Sequence, residues 1–441
     1  MNAGAFPFEA NPNPVDPGER AARLIDPGFG RVFTDHMVTI RYSDDKGWHD
    51  AKVGPRGPLT LDPATAVLHY AQEIFEGLKA YRLADGGMAL FRPEQNARRF
   101  QRSAKRLAMP ELPEEMFLQA CKQLVEVDKD WFPPVEGGSI YLRPFMIASE
   151  VFLGVKPSAE YLFMVIASAA GNYFKSGAPA ISIWVSEQYT RAAPGGTGAA
   201  KCGGNYAASL VAQSEAIKQG CDQVVFLDAR EHRWVEELGG MNLFFLFDDG
   251  SLLTPPVDGT ILEGITRDSV LTLAREQGLN VREERYAIDQ WRADAESGRL
   301  LETFACGTAA VITPVGKVQS AKGSFTIGAG RSHELVDALG GDFQRFLDDG
   351  VLARTGDRWH LTIDVEAIEV PPTILSLLAS RVERLPDDER QVVELASVIG
   401  TEFDRDLLGS IAGPDVAGRL GALIDRLRLK AVAERKKERN A

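Results

Sequence analysis

The stretch Pro194–Ala216, PGGTGAAKCGGNYAASLVAQSEA, sets a single lysine, Lys201, between two glycine pairs and runs straight into a helix-like segment. A lysine that only needs water does not need glycines around it. Glycine has no Cβ, so a bulky group can approach the backbone closely there. The pattern points to a lysine that holds a cofactor covalently. Taken alone, it fits a surface lysine in a flexible loop equally well. A phosphate-cradling G-x-x-x-x-G-K-[ST] loop does not fit, because Cys202 follows the lysine.

Working outward, a strand, ISIWVSE, precedes this stretch, and Tyr206–Lys218 reads as a helix. Asp222–Asp228 and Asn242–Phe247 read as buried strands, Thr266–Gln277 as a helix, and Arg299–Thr313 as strand, turn, strand. On the N-terminal side, residues up to about Pro27 look like a loose arm. Val38–Tyr42 and Leu68–Tyr81 suggest strands. Asn96–Ala108 and Glu114–Asp130 have helical periodicity, and Ser139–Ala148 and Tyr161–Ala169 read as buried strands. The mixed order predicts an α+β fold rather than a strict βαβ series. Boundaries are expected to give an arm at 1–27, a small α+β domain at 28–172, a linker at 173–180 and a large cofactor-binding domain at 181–330. Residues 331–441 change composition and are expected to form an atypical, mainly helical extension.

The chain has 441 residues, 44 % apolar and 25 % charged, as in globular proteins with real cores. Its formal charge of −13 argues against a general nucleic-acid binder, since phosphates would be repelled. A small charged metabolite remains compatible, because local charge decides its binding. The four cysteines show no C-x-x-C pair and the six histidines no metal signature, so neither a disulfide framework nor a metal site is expected. The N-terminus lacks a signal-peptide pattern and no apolar run approaches membrane-spanning length, which leads us to expect a cytoplasmic protein.

A covalent cofactor of the pyridoxal phosphate type needs a carboxylate at its ring nitrogen and anchors for its phosphate. VEELGGMNLFFLF, Val235–Phe247, places Glu236 and Glu237 at the entry to a buried strand. A carboxylate there is costly unless a cation pairs with it, so a cationic partner is expected; a solvated acidic turn is the plainer alternative. GITRDS, Gly264–Ser269, opens a helix whose N–H groups and Thr266 hydroxyl suit a phosphate, though such residues more often serve as an ordinary cap. ACGTAAVITPVG, Ala305–Gly316, gives a Gly-Thr turn that could present Thr308 to an anion.

With FGRVFTDHM, LHYAQEIFEGLKAYR, FRPEQNARRFQRSAKRL, IYLRPFMI and TPPVDGTILEGITRDS in order along Phe29–Ile327, the chain resembles the branched-chain amino acid aminotransferases. These are two-domain pyridoxal-phosphate enzymes of fold type IV. The resemblance implies that Lys201 is the Schiff-base lysine and moves the substrate proton. It implies that Glu237, rather than Glu236, binds the pyridine nitrogen and that Tyr206 contacts the cofactor. Arg99, Ile265, Thr266 and Thr308 would hold the phosphate. Phe29, Tyr70, Phe75, Tyr141 and Tyr173 would wall the substrate pocket, with N–H groups near Ala309 for the α-carboxylate. Arg143 would take the second carboxylate of glutamate, or else be a structural ion-pair partner. The implied reaction converts leucine, isoleucine or valine and 2-oxoglutarate to branched 2-oxo acids and glutamate, in a homodimer whose loop near Leu153–Val155 reaches the partner's site.

The resemblance stops after GSFTIGAG. Beyond it, VPPTILSLLASRVERLPDDERQVVELASVIGTEF is similar to the region after the nucleotide-binding core of bacterial regulatory ATPases, and a winged-helix-like fragment is one expectation for it. No Walker A loop is present, so ATP binding is not expected. The rival readings are a D-amino acid aminotransferase, an aminodeoxychorismate lyase, or an inert enzyme part carried by a regulatory interaction protein.

Overall fold

The computed structural model describes residues 5–83, 87–135, 138–171, 180–276, 278–309 and 311–328, with two short strands at 352–355 and 358–361. Among these, a seven-stranded antiparallel sheet is built from β1 (Val32–Ser43), β2 (Gly47–Pro55), β3 (Glu73–Phe75), β4 (Leu78–Arg82), β5 (Met88–Leu90), β6 (Ser139–Ala148) and β7 (Glu160–Ala170). Its order is β2-β1-β7-β6-β4-β5, with β3 on β6. A nine-stranded mixed sheet follows: β8 (Ile181–Ser186), β9 (Gln223–Leu227), β10 (Val235–Leu238), β11 (Met241–Phe247), β12 (Ser251–Thr254), β13 (Asn280–Glu283), β14 (Leu300–Gly307), β15 (Val311–Ser320) and β16 (Gly323–Thr326). Its path β10-β9-β8-β15-β14-β11 closes on itself, because β10 also pairs with β11. Closure leaves those strands no open edge.

The helices are α1 (Pro17–Leu24), α2 (Val67–Tyr70), α3 (Pro93–Arg106), α4 (Glu114–Val127), α5 (Gly203–Lys218), α6 (Ile265–Glu276) and α7 (Ile288–Ser297). α3 begins with Pro93 and Glu94 and ends with Lys105 and Arg106, so proline geometry and the helix dipole agree on its bounds. It packs its buried Phe100 against Phe117 of α4 and Phe163 of β7. Burying each such ring contributes about 2–3 kcal/mol. In the second sheet Phe244 stacks on Phe304, and Phe245 meets Trp291 of α7 edge-on.

Two expectations need correction. The N-terminal arm is not loose. Asp16 caps α1, Phe6 exchanges backbone bonds with the Gln123 side chain, and residues 7–9 bond to Val53. Leu68–Tyr81 is not one strand: its first residues form α2, which ends where Ala71 takes a positive φ of 48°. In the extension, the only described elements are the strands β17 (Leu352–Thr355) and β18 (Arg358–Leu361), which pair with each other. The remainder of that segment, with its ATPase-like and winged-helix expectations, lies outside the described residues. So does nearly all of the 173–180 linker. Among the described residues no helix is long and apolar enough to cross a membrane, and no cluster of residues could hold a metal.

Candidate active site

Lys201 lies immediately before the start of α5 and is tied down at its backbone. Its N–H donates to Ser103 Oγ of α3 at 2.9 Å, and its carbonyl accepts from the Phe75 N–H of β3 at 2.9 Å. The amine Nζ is 2.9 Å from the hydroxyl of Tyr206, one turn into α5. It also stands 4.9 Å from the centroid of the Phe75 ring. Two of the expected residues, Phe75 and Tyr206, thus flank the lysine, with their own rings 5.0 Å apart.

Two of the glycines near Lys201 make room for the chain's own atoms. A Cβ on Gly203 would collide with Glu73 Oε1, which accepts the Gly203 N–H at 2.6 Å. A Cβ on Gly198 would collide with the Thr260 carbonyl. At these two positions the space serves the chain's own backbone and one carboxylate at the N-terminus of α5, where the helix dipole favours negative charge.

Glu237 is buried on β10, paired across the ladder with Asn242. Its Oε1 accepts from the Leu262 N–H at 3.3 Å. Its Oε2 lies 2.5 Å from Arg191 Nη1, one of whose two N–H groups donates to the Thr260 carbonyl at 3.1 Å. Neither N–H is aligned on Oε2, which is held in an ion pair without a hydrogen bond. Burial pushes the Glu237 carboxyl up to about 7, against the pull of Arg191 and, more weakly, of Lys201. Glu236 points elsewhere and accepts from Thr260 Oγ1 at 2.7 Å. Arg191 is the expected cation, but the sequence did not identify it.

Arg99 is buried on α3 and forks onto Glu76, with Nε to Oε1 at 2.7 Å and Nη2 to Oε2 at 2.8 Å. Nη1 donates to the Glu263 carbonyl at 2.9 Å. A guanidinium has five N–H groups, so two remain beyond these bonds. Glu263 directly precedes Gly264 and the start of α6, so Arg99 stands beside that helix's first turn. There Thr266 is buried, and Ile265, Thr266, Gly307 and Thr308 line a cavity of about 20 Å³ together with Lys79 and Asn96. Ala309, next in the turn, accepts from Lys79 Nζ at 3.2 Å.

On the other side, Arg143 of β6 donates to Tyr141 OH at 2.9 Å and lies 4.7 Å over the Phe75 ring. Tyr141 meets Phe29 edge-on at 4.8 Å. Arg143 Nε is buried without a hydrogen-bond partner. Glu73 feels the charge of Arg143, yet among the described residues no carboxylate forms an ion pair with it. Tyr70 sits apart from this group. Its hydroxyl bonds to the Leu153 carbonyl at 2.5 Å, and its ring faces Phe152 and His69. Tyr173 lies outside the described residues.

These residues fit pyridoxal phosphate. An amine steadied by one hydroxyl, a buried carboxylate oxygen lacking an aligned donor, and a helix N-terminus with a buried threonine match its aldehyde, ring nitrogen and phosphate. The amino-transferase class IV family matches residues 73–318, and the chain belongs to that family. A probable branched-chain-amino-acid aminotransferase of Streptomyces coelicolor is 57 % identical over 341 residues, covering 77 % of this chain and 94 % of the relative. The crystal structure of the Escherichia coli branched-chain amino acid aminotransferase superposes with a TM-score of 0.56 at 32 % identity, covering 68 % of this chain and 92 % of that one. The branched-chain amino acid aminotransferase of Thermobaculum terrenum, solved in its PLP-bound holo form, gives a TM-score of 0.57 at 25 % identity, covering 71 % of this chain and 94 % of that one.

Proposed function

We propose that this chain is a branched-chain amino acid aminotransferase. It exchanges the amino group of leucine, isoleucine or valine with 2-oxoglutarate, giving branched 2-oxo acids and glutamate. The observation that carries the reading is the joint placement of Lys201, Tyr206 and Glu237, in a chain whose relatives bear that name. Nothing at the site favours the lyase, D-amino acid or regulatory alternatives.

Bound pyridoxal phosphate supplies an aldehyde carbon for amines and a ring that takes up electrons from the substrate's α-carbon. The chain's residues do the remainder. Lys201 Nζ holds the cofactor and then carries the α-proton, with the Tyr206 hydroxyl fixing its position at 2.9 Å. Glu237 Oε2, without an aligned donor of its own, accepts the ring N–H and keeps that nitrogen charged. Arg99, Thr266 with the Ile265 N–H, and Thr308 hold the phosphate. Phe29, Phe75 and Tyr141 give apolar side chains a dry wall, while Arg143 beside them takes the second carboxylate of glutamate. N–H groups near Ala309 would meet the α-carboxylate.

We assign a homodimer on the same reading. Leu68, Tyr70, Val151, Leu153 and Val155 are exposed large side chains around one loop, an apolar patch of the kind that a second copy covers. Tyr70 would then serve the partner's pocket. The change of sheet between Gly171 and Ala180 supports the small and large domains assigned above. Four buried, unpaired cysteines suit the cytoplasm.

Protein supplied with pyridoxal phosphate is expected to be yellow and to form glutamate from leucine and 2-oxoglutarate. Lys201→Ala should lose the bound-cofactor colour and slow turnover by about 10²–10⁴-fold or more. Colourless protein that makes no glutamate overturns the assignment.

A further inference from the structure

Lys79 is a buried cation at the candidate site to which the sequence assigned no role. It lies on β4, only 7 % exposed, and β4 is buried at four of its five positions. A buried ammonium is normally paired with a carboxylate. Among the described residues no carboxylate pairs with the Lys79 ammonium, and its single hydrogen bond there goes to the Ala309 carbonyl. An ammonium has three N–H groups, so two are left without an acceptor among the described residues. Burial accordingly lowers the ammonium to about 8.

The surroundings say what that charge is for. Lys79 lines the same small cavity as Thr266 at the start of α6 and Thr308 in the turn between β14 and β15. The turn is held in an unusual shape: Val311, which closes it opposite Gly307, has a φ of 58°, a region that β-branched residues avoid. Such a conformation persists only where neighbours over-determine it. The bond from Lys79 to Ala309 is a restraint of that kind, reaching from the first sheet to the second.

We propose that Lys79 is a positioning residue for the phosphate end of the cofactor site: through Ala309 it fixes the turn bearing Thr308, and its uncompensated charge stands beside the bound dianion. This rests on the pyridoxal phosphate reading given above. It predicts a defect tied to the phosphate rather than to the ring or the substrate.

The test compares the affinity of the full chain, freed of cofactor, for pyridoxal 5'-phosphate and for pyridoxal, which lacks the phosphate. Lys79→Met should weaken pyridoxal phosphate by about tenfold or more, the scale of one hydrogen bond to a charged group, and leave pyridoxal nearly unchanged. Lys79→Arg should restore most of the difference. If Lys79→Met does not fold, Lys79→Gln reads the same ratio. Equal losses for both ligands, no loss, or a defect only in the KM for the amino acid would overturn the proposal while leaving the cofactor reading intact. Wild-type protein that binds neither ligand would overturn both.

Discussion

The first sheet and the second each bury a glutamate against an arginine, and the two pairs end in opposite states. In the first, Glu76 spends both oxygens: Arg99 forks across them and Asn96 adds a third donor at 2.7 Å. Burial alone would raise that carboxyl, yet Arg99 and Asn96 hold it below the usual range. In the second, Glu237 has an arginine just as close, but Arg191 aims one N–H at a backbone carbonyl and aligns none on Oε2. There burial wins and the carboxyl is pushed up to about 7. Residue types, depth and separation are alike. What differs is the number of aligned donors, since desolvation is offset only by hydrogen bonds that are made. The closed pair leaves its carboxylate no oxygen to offer a ligand. The open one keeps an acceptor for a donor that comes from outside the chain.

Breaking the closed pair should have the largest effect. Arg99→Met leaves Glu76 charged and fully buried, and should destabilise the cofactor-free protein by about 3–5 kcal/mol in chemical denaturation at neutral pH. Phosphate binding should weaken as well, because the guanidinium beside the first turn of α6 is gone. A stability loss below about 1 kcal/mol would show that Glu76 finds other partners and that the contrast is false. Arg191→Met should cost less, about 1–3 kcal/mol, since Glu237 can escape by taking up a proton. Its cost should shrink as the pH drops below about 7, where the carboxyl is already neutral. A cost that does not vary with pH would mean Glu237 stays ionised regardless.

Much of this frame is legible in the sequence, and what is hidden has a common cause. α3 and α5 are legible as helices, though each begins three residues earlier than the sequence suggests, and the preference for Glu237 over Glu236 agrees with which of the two is fully buried. The need for a cation beside Glu237 follows from burial alone. Its identity does not, because Arg191 comes from a loop that meets β10 only in three dimensions. Lys79 is obscured by alternation. LKAYR reads as a strand with one wet face, whereas contacts from the second sheet cover both. The glycines around Lys201 were legible as close approaches, but a sequence does not say whose atoms approach. At Gly203 they belong to Glu73, 130 positions upstream.

The smallest effect is also the most specific, and it follows from the sign of the Glu237 shift. An unfolded glutamate loses its proton near 4.3, roughly the ordinary value, whereas the buried carboxyl keeps it to about 7. Between those values the native cofactor-free protein holds a proton that the unfolded chain lacks, so this group's contribution to stability falls as the pH rises through the window. Below and above the window the contribution is flat. Glu237→Gln removes the titration but keeps the shape, so the difference in Tm between variant and wild type should move in the variant's favour from about pH 4.5 to about pH 7. The slope for one proton is at most about 1.4 kcal/mol per pH unit. The constant cost of leaving Arg191 without its partner shifts the whole curve and does not alter this slope. The matching substitution Glu76→Gln should show no gain in that window, because a carboxyl held low titrates beneath it. Parallel curves for both variants would mean that the two pairs are electrostatically the same, and that Glu237 is no more open to an incoming donor than Glu76.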